Sequence, residues 1–104
     1  MKKPDWKKFS ELRKVVLERF CRRVFEGIHE IESDSEASFH ERYLSLYQYI
    51  HDSNKTMSLI FDGTTKMLAT TQLRAMANYE LLEDGELEGF SDEVLRAIGR
   101  DRES

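Results

Sequence analysis

The chain is poor in the residues that cross-link or punctuate a fold. Cys21 is its only cysteine, so no disulfide can close within it and nothing points to an oxidising compartment. Pro4 is its only proline, and five glycines are too few for the repeated tight turns of a β-sandwich. No apolar run approaches the roughly 20 residues that span a bilayer, so no membrane span is expected. The lysine-bearing start, MKKPDWKKFSELRK, lacks the apolar stretch of a signal peptide. These absences make the cytoplasm the expected location.

The usual marks of catalysis are missing as well. There is no G-x-S-x-G elbow, no Cys-x-x-Cys and no glycine-rich phosphate loop. The D-G-T-T at 62–65 reads as a turn, too short and too poor in glycine to cradle a phosphate. Cys21 falls at the edge of an apolar helix face, where a lone cysteine behaves as a small hydrophobe. His40 and His51 fall on one side of a helix, but the eleven residues between them rise about 16 Å, whereas each ligand of one zinc lies about 2 Å from it. His29 is cut off from His40 by a helix break, and no H-E-x-x-H pairing occurs. The reading is a protein that is not an enzyme and holds no metal and no cofactor.

What the chain does have is helical periodicity. Its 104 residues, 39% hydrophobic and 35% charged, suit one domain spanning 1–104 that buries about two-thirds of its unfolded surface. From 5 to 31, Phe9, Leu12, Val16, Phe20, Val24 and Ile31 recur at three- and four-residue spacing, with charged residues opposite. Pro4 suits the start of that helix. Ser33 and Glu36 have capping-box spacing, which predicts a second helix from about Asp34, ending among Asp52, Ser53 and Asn54. A third helix is expected from about Lys55 to Leu82, its seam running through Phe61, Thr65, Leu68, Gln72, Ala75 and Tyr79, with Asp62–Gly63 as the one place for a kink or break. Gly85 and Gly89 suit left-handed turns. Ser91 caps a short last helix, with Phe90 reaching Leu95 as a staple and Gly99 ending it. Residues 100–104 read as a flexible charged tail. The fold class is all-α: a small helical bundle of three principal helices plus a short C-terminal helix.

The stretch FHERYLSLYQYIHDSN, residues 39–54, is the most informative. Phe39, Tyr43, Leu44, Leu46, Tyr47, Tyr49 and Ile50 cover more than half of the helix wheel, where a surface helix needs a stripe of little more than 100°. Tyrosine suits a docking face because its ring buries while its hydroxyl stays wet. The plainer reading is a helix in the middle of its own bundle. Polar residues also interrupt apolar faces. Arg13 lies in the first helix's apolar arc and is expected either to reach past the bundle end or to meet Glu80 and Glu83, because an unpaired buried charge is strongly unfavourable. Gln72 sits in the third helix's seam, where it would fix register or line a small polar pocket.

Charge is unevenly spread. Residues 1–23 hold nine Lys/Arg against Asp5, Glu11 and Glu18, and residues 80–93 hold seven acids and no base. Such polarity serves a nucleic acid, a membrane surface or an acidic partner, or simply sets the basic helix against the acidic end of its own chain. The function expected is a non-enzymatic protein–protein interaction module, a small self-associating helical protein whose partner is another protein or a second copy in a homodimer. Its interface is expected at Tyr43, Leu44, Tyr47, Tyr49, Gln72 and Met76. The alternative is an accessory nucleic-acid binder, with Lys7, Lys8, Lys14 and Arg22 on phosphates, which the interleaved glutamates disfavour. Trp6 and Phe9 among lysines also resemble a membrane-surface anchor, though their arc continues as a core face.

Overall fold

Pro4 stands in the first turn of a helix that the spacing of Phe9, Val16 and Phe20 keeps amphipathic without a break. This is α1, Lys3–Glu32, 30 residues long. The computed structural model describes residues 1–100, so the expected tail falls, but for Arg100, outside the described residues. Three further helices follow: α2 Phe39–Phe61, α3 Ala69–Asn78 and the short α4 Asp92–Ala97. No strand occurs among the described residues. The fold is an all-α bundle with three substantial helices and a short fourth.

The core lies at one end. The first two-thirds of α1 supply Phe9, Val16 and Phe20, the last two residues of α2 supply Ile60 and Phe61, and α3 supplies Ala69, Leu73 and Met76. Leu81, Phe90, Val94, Leu95 and Ile98 close it from the C-terminal side. Phe20 meets Phe61 edge to face at 5.8 Å, a geometry that favours the ring quadrupoles. Phe90 and Leu95 are both buried in this cluster on either side of Ser91, whose hydroxyl accepts from the Val94 N–H.

The acidic C-terminal segment lies along the basic helix of its own chain. The two carboxylate oxygens of Asp5, itself buried, accept from the Ser91 backbone N–H at 2.9 Å and from its hydroxyl at 2.7 Å. Arg19 grips Glu86 with two N–H donors, at 2.7 and 2.9 Å, pairs with Glu83 at 3.0 Å and donates to the Leu81 carbonyl. Hydrogen bonding from Arg19 holds the Glu86 carboxyl below its ordinary value against the opposing effect of burial. Lys8 lies over the Phe90 ring at 5.4 Å, and Gly89 turns left-handed beside its stem. Part of the chain's charge polarity is therefore spent internally, through Arg19 and Lys2.

Several expectations need correction. Ser33 does not open α2: it ends α1, its hydroxyl donating to the His29 carbonyl. The capping box is Ser38 with Glu41, the next Ser-x-x-Glu along, so α2 starts five residues later than expected, at Phe39. Nor does α2 stop at Asp52–Asn54. It runs on to Phe61, because Ile60 and Phe61 anchor its end in the core, and tertiary burial outweighs three weak helix formers. The long third helix is instead two pieces, broken at Asp62–Gly63, where Gly63 turns left-handed.

Arg13 explains part of that break. It does not reach Glu80 or Glu83. Its guanidinium donates to the Phe61 carbonyl at 2.6 Å and to the Thr64 hydroxyl at 3.0 Å, setting a cation on the C-terminus of α2. Gln72 completes the corner: its amide donates to the Asp62 carbonyl, and its oxygen accepts from Thr64, both at 2.8 Å. Carbonyls left over where α2 ends are thus met by side chains from α1 and α3.

Candidate functional site

A helix of 30 residues extends about 45 Å, but the core covers only part of it. Beyond Phe20, α1 has no buried residue, and α2 has none before Ile60. The distal part of α1 and the first half of α2 therefore form an antiparallel two-helix arm with no third layer. The shape agrees: the extents are 51 × 27 × 20 Å and the radius of gyration is 16.7 Å, against about 13 Å for a compact chain of this size.

Three details hold the arm together. At its tip Ser38 and Glu41 exchange hydrogen bonds, and the Ser38 backbone N–H, followed by its hydroxyl, keeps the Glu41 carboxyl below its ordinary value. Arg42 donates to the Glu32 carbonyl at 2.9 Å while lying over the Phe39 ring at 4.4 Å, so one guanidinium caps α1 and packs on α2. Midway, the Tyr49 ring crosses α1 at Gly27 and its hydroxyl donates to the Arg23 carbonyl at 3.3 Å. Sequence reading passed over Gly27; a glycine inside an unbroken helical pattern was its only signal.

The arm has two unlike flanks. One carries a small notch of about 250 Å³ where Arg23, Tyr49, Asp52 and Thr56 meet Tyr79 and Leu81 from beyond α3. The other is open. Counting 100° per residue from the notch puts Phe39, Tyr43 and Tyr47 of α2 on that open flank, together with Phe25 of α1. Their exposures are 83%, 67%, 64% and 70%, and Leu44, one step further round, is 52% exposed. On the usual scale of 150–250 Å² per aromatic ring, these four present roughly 400–700 Å², as much as or more than the largest apolar patch of an ordinary monomer. His51 stacks on Tyr47 at 6.2 Å and extends the row.

The sequence candidates thus separate. Tyr43, Leu44 and Tyr47 are brought together in the open. Tyr49 is half-buried between the helices, with its hydroxyl engaged. Gln72 and Met76, at 4% and 0% exposure, belong to the core and are no part of any surface. Phe25 and Phe39 are not among the interface candidates: Phe25 falls outside the apolar arc of α1, and Phe39 counts in the wide apolar face of α2 without being singled out. Among the basic candidates Lys7, Lys14 and Arg22 are exposed, while Lys8 is tied to Phe90. The anchor suggested by Trp6 and Phe9 is not formed: Phe9 is fully buried and Trp6 stacks on it at 6.1 Å. Among the described residues no helix is long and apolar enough to cross a membrane, and no group of three metal-ligating side chains assembles.

Set beside protein-family models, curated proteins and solved structures, the chain matches none.

Proposed function

We propose that this protein is a non-enzymatic interaction module whose working surface is the open flank of the arm, and that it self-associates through that surface. The observation that carries the reading is the row Phe39, Tyr43, Tyr47 with Phe25 beside it, largely exposed on two helices that have no third layer. Isolated apolar side chains on a surface need no explanation, but a continuous aromatic row does. Rings with wet hydroxyls are the residues that interfaces favour. Nucleic-acid binding has less support, because Glu11 and Glu18 interleave the exposed lysines of α1 and Arg19 is engaged by Glu83 and Glu86. A cytoplasmic location belongs to the same proposal and rests on the lone cysteine.

Sedimentation velocity over a concentration series tests it. The wild type is expected to associate at tens of micromolar. Tyr43→Ser combined with Tyr47→Ser is expected to remain monomeric, with a melting temperature close to that of the wild type because both rings are exposed. A wild type that stays monomeric throughout the series overturns the reading.

A further inference from the structure

We infer that the partner on the open flank is a second copy of this chain and that the two meet α2 against α2, with the distal part of α1 at the edge of the contact. This rests on the docking surface proposed above and adds its occupant and the helix at its centre.

The two helices of the arm carry charge differently on that flank. Besides its histidines, α2 has four ionic residues, Glu41, Arg42, Asp52 and Lys55. Counted from the midpoint between Tyr43 and Tyr47, all four lie about 100° or more round the helix. Within about 60° of that midpoint stand Phe39, Tyr43, Tyr47, His51, Asn54 and Ser58, all exposed. About 28 Å of open helix face thus holds no Asp, Glu, Lys or Arg. The chain is 35% charged, so this gap is not a matter of composition. Helix α1 is the opposite. Lys14, Glu18, Arg22 and Glu32 all fall within about 60° of Phe25, all are exposed, and their signs alternate.

A contact between identical surfaces sets the residues near its two-fold axis on their own copies. A charged group placed there meets a like charge while losing water, which is strongly unfavourable. The α2 side of the flank is free of that conflict and the α1 side is not. Interfaces are depleted of charge at the centre and polar at the rim, and α2 and α1 supply those two parts in turn. Alternating signs on α1 give no field of one sign by which an acidic or basic partner could be selected. Ring burial is left as the driving force, and a second copy brings an identical set of rings. The area is adequate: the four rings, Phe25 included, supply at least half of the ~800 Å² that each partner buries in a standard interface. Two arms joined in this way give each other the layer that each lacks, and the contact closes as a dimer.

Single charges placed on either helix test which one is central. Asn54→Lys puts a cation on the neutral face of α2, and Glu18→Gln removes an anion from α1. Both raise the net charge by one, so a general charge effect moves them alike. Both sites are exposed, and circular dichroism checks that the chains fold. In sedimentation velocity Asn54→Lys is expected to associate about tenfold or more weakly than the wild type, because each copy now brings a charge to the centre of the contact. Asn54→Ala and Glu18→Gln are expected to stay within about threefold of the wild type, as befits loss of a neutral group and of a rim charge. An Asn54→Lys chain that associates like the wild type, or a Glu18→Gln chain weakened as much as Asn54→Lys, overturns the α2-on-α2 contact. If the wild type associates, loses association in the double tyrosine variant and ignores Asn54→Lys, the flank still docks but this arrangement falls. If the wild type never associates, both fall together.

Discussion

The Tyr49 ring occupies the space in which a β-carbon on Gly27 would stand, so α2 lays this ring against bare backbone of α1. The hydroxyl then reaches the Arg23 carbonyl at 3.3 Å. Gly27 thus trades helix propensity for a seat for the ring.

This trade gives a change of sign. In the wild type Gly27→Ala displaces the ring and is expected to destabilise by about 1–3 kcal/mol, the usual range for overpacking. With Tyr49→Ala already made, the same Gly27→Ala is expected to stabilise by up to about 1 kcal/mol, because only the helix preference of alanine remains. Urea unfolding of the four chains measures both. The same sign in both backgrounds would mean that the contact does not set the spacing of the arm.

Gln72 is a buried polar group with its amide and its oxygen both engaged, so making it apolar should be harmful despite the hydrophobic surroundings. Gln72→Leu strands the Asp62 carbonyl and is expected to destabilise by about 1–3 kcal/mol in chemical denaturation. A neutral or stabilising result would show that water takes over the carbonyl.

Glu80 is the one residue other than glycine with positive φ, 57°, among the described residues. It occupies the left-handed position that closes α3, with the Leu81 N–H on the Met76 carbonyl and the Glu80 N–H on the Ala77 carbonyl. Gly99 holds the equivalent place after α4, at φ 75°. Glu80→Gly is therefore expected to raise stability by about 1 kcal/mol, seen as a higher melting temperature. A fall would show that the Glu80 side chain contributes more than its backbone strain costs.

The Arg19–Glu86 clamp predicts an acid sensitivity. Glu86 binds its proton less readily folded than unfolded, first because of the hydrogen bond from Arg19. Its contribution to stability is therefore complete above the ordinary carboxylate value of 4.5 and is lost as pH falls through the lower folded value. Unfolding free energies measured from neutral to acid pH should fall less steeply for Glu86→Gln than for the wild type. Equal slopes would show that the pair is open in solution.

The sequence made some of this legible and concealed the rest, for identifiable reasons. Helix α1 was readable because Phe9, Val16 and Phe20 hold one phase and no breaker interrupts them. The start of α2 was misplaced because Ser33 and Ser38 both have glutamate three residues on; which of them caps depends on where α1 stops, and α1 carries on to Glu32. The end of α2 was misplaced because Asp52, Ser53 and Asn54 resemble a terminus, whereas Ile60 and Phe61, which decide the matter, reveal themselves only through tertiary burial. Gln72 does lie in a seam, but the sequence makes that seam part of one helix Lys55–Leu82 and, with Met76, an interface; in the short separate α3 both are buried in the chain's own core. The excess apolar circumference around Tyr43 and Tyr47 was visible from residue types alone. Its cause, a core confined to the far end of the same helix, was not.

That confinement also divides the molecule by lifetime. With Ile60 and Phe61 as its only buried side chains, α2 is fastened at one end, and backbone amides near Tyr43 have no core to wait for before they open. Their hydrogens should exchange with deuterium well ahead of those around Leu73, and slow down only once something rests against the rings.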